Sequence, residues 1–530
     1  MPKKAVIPAA LLLIVALFLA EILASTAFGM THDDGVYLVT AKALAEGKGY
    51  RIISLPGAPP QTKYPILFPF LLSIVWRIDP HFPQNGFLLK AVPAFAMAGW
   101  MMACYWFLRR YAWLPRHAAL WILYFVAVNQ WSLFTSGTLM SEALFSLLAL
   151  GAIALLAHTA QRPPTGAVIA AALVASAAYH TRTAALPLIP AGGIALAAQK
   201  RYRHAALFCG IAMLLALPWL WWQRQATDAG TFAENYYTAN GYRNLNVLGG
   251  RYSVEAAAHI VNKNLHFLAE YPAAWLFCVS FPPAWHRGYA VAGILFWLLA
   301  LRGMLRAPPW LRAAQIFTVV TAGMLLLYAW PPERFVVPVL PLLLLFAYFA
   351  MPRRTPVWVA PALAILPLVL AYNEASSTRA NHVASLKAPP WIPSNQAPEW
   401  NDVAQVTDWI RDHVAPGAVV LADFDPTLYL YSGHPAIRIS PLSGPEMFYG
   451  SDPSPRQKLA EAERIIAKDT PAYLIDTCCD PVPPDYLVDY LKSAGRLRLV
   501  YQGAPGYKIF AILAAGENHN FLSDVPISRK

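Results

Sequence analysis

The chain is poor in charge. Asp, Glu, Lys and Arg make up 13% of its 530 residues, against roughly 25% in a soluble globular protein. Hydrophobic residues reach 57% and the mean hydropathy is +0.41. Together these exclude an ordinary soluble domain. Cysteine is scarce as well, with five residues in all. No C-x-x-C pair occurs, which removes thiolate zinc and redox motifs. Cys104, Cys209 and Cys278 sit in apolar runs, and Cys478 and Cys479 are adjacent, where a bridge is strained. There is no internal repeat and no low-complexity tract, so a repeat array is excluded. Acidic residues are outnumbered, 29 to 41, giving a net charge of +12. That excess does not point to nucleic acid, because the Lys and Arg cluster in short loops between hydrophobic runs.

What the chain has is long apolar runs from residue 5 to 372. They predict a polytopic α-helical membrane protein of about eleven spans, near 5–28, 87–108, 118–135, 141–158, 165–181, 184–199, 205–222, 285–301, 311–330, 335–351 and 356–372. The first run exceeds the ~7–15 residues of a signal-peptide core and is read as an uncleaved helix. If every run crosses once, Lys3, Lys4, Arg109, Arg110, Arg116, Arg162, Lys200, Arg201, Arg203, Arg302, Arg306, Arg312, Arg353 and Arg354 share one side. That side is cytoplasmic, as is the N-terminus, and the C-terminus lies outside.

Three segments then face outward. Within the loop 29–86, a helix is expected over Asp33–Glu46, ended by Gly47 and Gly49. Tyr64–Ile78, broken by Pro65 and Pro69, is expected to lie flat at the interface. The second segment, 224–274, is rich in Tyr, Asn and Gly and reads as a loop. The third, 373–530, alternates helical and strand patterns: helices near 399–414, 454–467 and 484–494, and strands at 418–422, 472–476, 497–502 and 507–512. It is long enough for a core of its own and reads as a C-terminal extracytoplasmic α/β domain beside a transmembrane domain of residues 1–372.

Carboxylates in a membrane protein are costly and tend to be functional. Asp33 and Asp34 stand side by side where the first run leaves the bilayer, and fit a catalytic base or a cation site. A plainer reading makes either one a helix cap. Glu142 opens the fourth span on the same side, as cap or as ligand for a sugar or cation. Arg182 lies in a tight outward turn, where positive-inside statistics disfavour arginine. Arg334 lies in another, with Glu333 as an ordinary ion-pair partner. Guanidinium forks suit phosphate oxygens. Outward arginines and carboxylates at one face fit phosphate-linked lipid chemistry, the arginines holding a leaving phosphate and a carboxylate taking a proton from a hydroxyl. His32, His180, His286 and Lys63 read as structural or interfacial.

These motifs resemble the polyprenyl-phosphate-sugar-dependent glycosyltransferases of the GT-C superfamily, in the branch holding protein O-mannosyltransferases and lipid A aminoarabinose transferases. The matching stretches are Asp33-Asp34-Gly35-Val36-Tyr37, then Gly47-Lys48-Gly49-Tyr50, Tyr64-Pro65, Glu142, Thr181-Arg182 before Leu186-Pro187, and Arg334-Phe335 before Pro338 and Pro341. The resemblance implies a GT-C fold and inverting transfer of a sugar from a polyprenyl-phosphate donor to a lipid, glycan or protein hydroxyl, at the outer face of the inner membrane. It implies Asp33 as the base. It also implies Asp34, Tyr37, Tyr64, Glu142, Arg182 and Arg334 as substrate-binding residues. No cofactor is required, and a divalent cation at Asp33, Asp34 and Glu142 is compatible. A lipid-linked sugar flippase and a non-catalytic scaffold are the rival readings.

Overall fold

The computed structural model describes residues 28–29, 33–161, 165–225, 254–277, 286–351 except 329, 331 and 333, 400–438 except 423, 455–477, 485–503 and 507–513, with 15, 18 and 19. The expected first and last spans lie outside these residues almost entirely, as do the middle of the 224–274 segment, Arg162, Glu333 and His32.

The apolar runs form helices. In chain order these are α1 (Asp33–Ala45), α2 (Leu67–Ile78), α3 (Gly86–Arg110), α4 (Arg116–Ala127), α5 (Gln130–Gly137), α6 (Glu142–Gln161), α7 (Thr165–Thr181), α8 (Leu188–Ala197), α9 (Tyr202–Trp222), α10 (Val254–Phe277), α11 (His286–Arg306), α12 (Arg312–Leu326) and α13 (Leu340–Ala350). Among the described residues, five helices are long and apolar enough to cross a membrane: α3, α6, α9, α11 and α12. The pair α4–α5 passes the same test only when taken together, and it is bent by 64° at its break. Their outward faces are apolar. On α11, Val291, Ile294, Leu295, Leu298, Leu301 and Leu305 are all exposed. Such a surface is stable against hydrocarbon and not against water, so this is a multi-pass membrane protein.

The helices depart from the sequence expectation where polar groups or prolines intervene. The run 118–135 is two helices, because the Asn129 side chain accepts from the Trp131 N–H and caps a new start. The tenth run opens as a 3-10 segment, Arg334–Val339, where Pro338 and Pro341 donate no N–H to a regular helix. The larger correction is α10. The sequence reads as loop through residue 274, yet residues 254–277 form one helix packed on α11. Its described buried positions are Ile260, Asn264, Leu268 and Pro272, four residues apart on one face. Asn264 is fully buried and its amide donates to the carbonyls of Leu325, Leu326 and Tyr328 at 2.9, 3.2 and 2.8 Å. These carbonyls lie at the end of α12, Leu325 and Leu326 in its last turn and Tyr328 two residues beyond, where a helix leaves acceptors unsatisfied.

Residues 400–513 build a five-stranded sheet in the order β2-β1-β3-β5-β4, with β1 (Val420–Leu421), β2 (Ala436–Ile437), β3 (Tyr473–Thr477), β4 (Leu497–Gln502) and β5 (Tyr507–Ile512). β1 runs parallel to β2 and β3, whereas β5 runs antiparallel to β3 and β4. Four helices accompany it: α14 (Trp400–His413), α15 (Asp425–Ser432), α16 (Pro455–Asp469) and α17 (Asp485–Ser493). Strand alternation divides the core. Val420, Ala436, Ile475 and Ile509 pack with Val403, Val406 and Ile410 of α14. Leu421, Ile437, Leu474 and Phe510 pack with α16 and α17, and also with Val36, Val39, Ala43, Ile52, Ile53 and Leu55. The segment that carries α1 is thus part of the sheet's own core. The backbone repeats the connection: the Ala436 N–H donates to the Ser54 carbonyl at 2.9 Å.

Candidate active site

α1 is held from two sides before its carboxylates meet any other charge. Gly29, at φ +88°, turns the chain so that its carbonyl accepts from Thr427 of α15 at 2.7 Å. A Cβ on Gly35 would stand 2.8 Å from Pro426 Cβ and 3.0 Å from the Gly29 carbonyl oxygen, so α15 and α1 approach at a distance only glycine permits. Asp34 serves this turn. Its Oδ2 accepts from the Gly29 N–H and its Oδ1 from the Gly35 N–H, each at 2.8 Å. It does not line the cavity described below. Both oxygens thus accept from backbone N–H groups of the turn that leads into α1.

Asp33 points elsewhere. Tyr64 donates its hydroxyl to Asp33 Oδ1 at 2.5 Å, and Arg334 Nη2 donates to Oδ2 at 2.6 Å. Residues 31 and 301 positions away in sequence are thereby joined at one carboxylate. Burial alone would raise the Asp33 pKa. Arg334, Lys63 and the Tyr64 hydrogen bond together outweigh it and hold the carboxyl well below the usual range. A second cluster lies at the start of α6. Arg182 Nη1 lies 2.8 Å from Glu142 Oε1 and donates to Ser141 Oγ at 3.1 Å. Ser141 Oγ is also 2.9 Å from the Tyr37 hydroxyl. Arg334 Nε, 3.7 Å from Glu142 Oε1, links the two clusters. The arginines share one aromatic face, standing 5.4 and 4.9 Å from the Phe335 centroid.

This network borders a cavity of about 890 Å³, counting its open mouth, lined by Tyr37, Lys63, Tyr64, Glu142, Arg182, Tyr328, Arg334 and Phe335 among others. Phe317, Met324, Leu325 and Pro338 supply an apolar wall. Glu142 is 1% exposed, and neither of its oxygens accepts a hydrogen bond among the described residues. The 2.8 Å approach of Arg182 is thus an ion pair off the hydrogen-bond axis, and the carboxylate keeps its acceptor capacity for a ligand. Burial pulls the Lys63 ammonium down to about 8, with Asp33 opposing and Arg438 and Arg334 assisting.

Of the sequence candidates, the structure brings Asp33, Tyr37, Tyr64, Glu142, Arg182 and Arg334 together and leaves Asp34 aside. Asp33 stands behind Tyr64 and Arg334 and does not itself line the cavity. Lys63, read from sequence as structural or interfacial, lines it. So does Tyr328, which sequence reasoning missed; its carbonyl partner Asn264 sits in a segment read as loop. His180 Nε2 lies 2.8 Å from the Leu215 carbonyl. Asp33, Asp34 and Glu142 do not converge on one point, and no cluster of three metal-ligating side chains occurs among the described residues.

No family model matches the sequence, and no curated protein matches it. Solved structures do. The chain shares its overall fold with a solved membrane protein. It resembles ArnT from Cupriavidus metallidurans bound to undecaprenyl phosphate with a TM-score of 0.58 at 13% identity, covering 96% of this chain and 99% of that one. Against the apo state of the same protein the TM-score is 0.54 at 12% identity, covering 96% and 98%.

Proposed function

We propose that the protein is an inverting glycosyltransferase that moves a sugar from a polyprenyl-phosphate donor to an acceptor hydroxyl at the outer face of the inner membrane. The observation that carries the reading is the joined network itself: two arginines and a lysine against two carboxylates, at the mouths of membrane helices, around one cavity. Its balance of three cations to two anions leaves one positive charge. A phosphodiester-linked sugar supplies the matching negative one. The structural neighbour's bound undecaprenyl phosphate agrees in chemical class.

In this reading Arg182 and Arg334 hold the phosphate, and Lys63 adds a charge from the loop. Glu142 takes hydrogen bonds from the sugar or the acceptor hydroxyl. Asp33 removes the acceptor proton, and the acceptor oxygen attacks the anomeric carbon opposite the departing phosphate, so the configuration inverts. No cofactor enters these steps. The acceptor is a lipid, a glycan or a protein hydroxyl. The topology belongs to the same proposal: about eleven spans, a cytoplasmic N-terminus, and the sheet domain outside. Asp33→Asn is the test. Loss of a general base costs about 10²–10⁴-fold in rate, and the variant should express and purify like wild type while failing to transfer. A fully active Asp33→Asn protein would contradict the assignment.

A further inference from the structure

Both oxygens of the Asp33 carboxylate are engaged, Oδ1 by the Tyr64 hydroxyl and Oδ2 by Arg334. Asp33 is 8% exposed, and its two partners stand between it and the cavity. A base so placed is not presented to an incoming hydroxyl. Its two partners are bound differently. Tyr64 is fixed, its ring packed on Tyr37 at 5.0 Å, with the Lys63 ammonium 5.3 Å from its centroid. Arg334 is shared: besides Asp33 it approaches Glu142 and lies over Phe335 at the cavity wall. Guanidinium makes its strongest contacts with phosphate and carboxylate alike, so a phosphate entering the cavity competes with Asp33 for the same donor.

We propose that Asp33 is a donor-gated base: the phosphate of the lipid-linked sugar draws Arg334 off Asp33 Oδ2, while Tyr64 retains Oδ1 and aims the vacated oxygen at the acceptor. This rests on the glycosyl-transfer reading above. The acceptor proton passes to Asp33 Oδ2 and the acceptor oxygen bonds to the anomeric carbon. The bond from that carbon to the phosphate oxygen breaks, and its electron pair leaves with the polyprenyl phosphate, whose second negative charge Arg182 and Arg334 hold. The other groups acting on Asp33 are Lys63 and Tyr64, and the hydroxyls of Tyr37 and Tyr328 lie within its field. Lys63 remains when Arg334 moves, so Asp33 stays ionised at neutral pH while becoming a stronger base. Tyr64 is then a positioning residue and not the substrate ligand its sequence motif implies. Without donor the base is quenched, and no hydroxyl is activated.

Undecaprenyl phosphate without sugar, titrated into the purified full-length protein, tests this. If the ion pair holds all but about a tenth of the protein in the closed arrangement, Asp33→Asn binds the probe about tenfold tighter, though it is inactive in transfer. Loss of a nearby negative charge also tightens binding without any gate, so a second readout is needed. In infrared difference spectra the probe should shift a carboxylate band that Asp33→Asn lacks. Tyr64→Phe should keep its affinity for the probe but transfer more slowly, with the acid limb of the rate moved to higher pH, because a hydrogen bond to the ionised carboxylate has been removed. Probe binding with an unshifted Asp33 band overturns the gate and leaves glycosyl transfer standing. A Tyr64→Phe rate profile identical to wild type overturns the positioning role. Absence of any probe binding overturns both the gate and the reading beneath it.

Discussion

Lys63 is where one residue's ionisation reaches function. An ordinary lysine keeps its proton to about 10.4, whereas this one sheds it near 8. Donor affinity should therefore fall as pH rises through about 8, and the limb should vanish in Lys63→Met; equilibrium binding of undecaprenyl phosphate across pH 6.5–9.5 checks it. A lysine whose folded pKa is depressed opposes folding while protonated, so its effect on stability has the opposite slope. Between about 8 and the ordinary value the unfolded chain holds a proton that the folded chain lacks, and stability rises with pH across that window. Asp33 behaves as a depressed carboxylate does, contributing stability above the usual carboxylate range and losing it on acidification. The carboxylates and arginines of this site were legible because charge is rare in such a chain and each one stood at a span end on the same face. Lys63 was not, since a lysine flanking an apolar segment is the ordinary interfacial pattern. The Asp33–Asp34 pair was legible as a pair but not in its division. Only the Gly29 turn shows that one carboxylate accepts from the backbone while the other meets Tyr64 and Arg334.

Between elements, the decisive contact is α15 against α1. Gly35→Ala places a methyl 2.8 Å from Pro426. Over-packing of this kind costs about 1–3 kcal/mol, and here it also displaces Asp33. Thermal unfolding should start earlier, and transfer should fall more than stability does; a Gly35→Ala protein with wild-type turnover would show that the docking does not position the base. Neither partner of this contact was fully visible in the sequence. α1 was expected over Asp33–Glu46 and spans Asp33–Ala45, because its caps and glycine stops are local signals. α15 and β2 were missed. An eight-residue helix and a two-residue strand are too short to show a period. The hairpin strands 497–502 and 507–512 were legible to the residue, being longer and flanked by turn residues. α10 was hidden for another reason: its buried face includes an asparagine, which only the end of α12 explains.

For the whole molecule, the sheet domain is not an appendage. It shares one hydrophobic core with residues 36–55, and it meets the turn that orients Asp34. Removal of residues 400–530 would expose Val36, Val39, Ile52 and Leu55, and should abolish donor binding and transfer together instead of changing acceptor preference alone. A truncated protein that still binds undecaprenyl phosphate and transfers would show that residues 33–78 fold without the sheet. Purified wild-type protein incubated with radiolabelled undecaprenyl-phosphate sugars, under acceptor-rich membrane extract, tests the central claim most directly. The account predicts that label leaves the polyprenyl lipid for an acceptor with inversion at the anomeric carbon, and that it stays on the lipid with Asp33→Asn. Label that stays on the lipid with the wild type for every donor offered, or that crosses the bilayer still attached to its lipid, would contradict it.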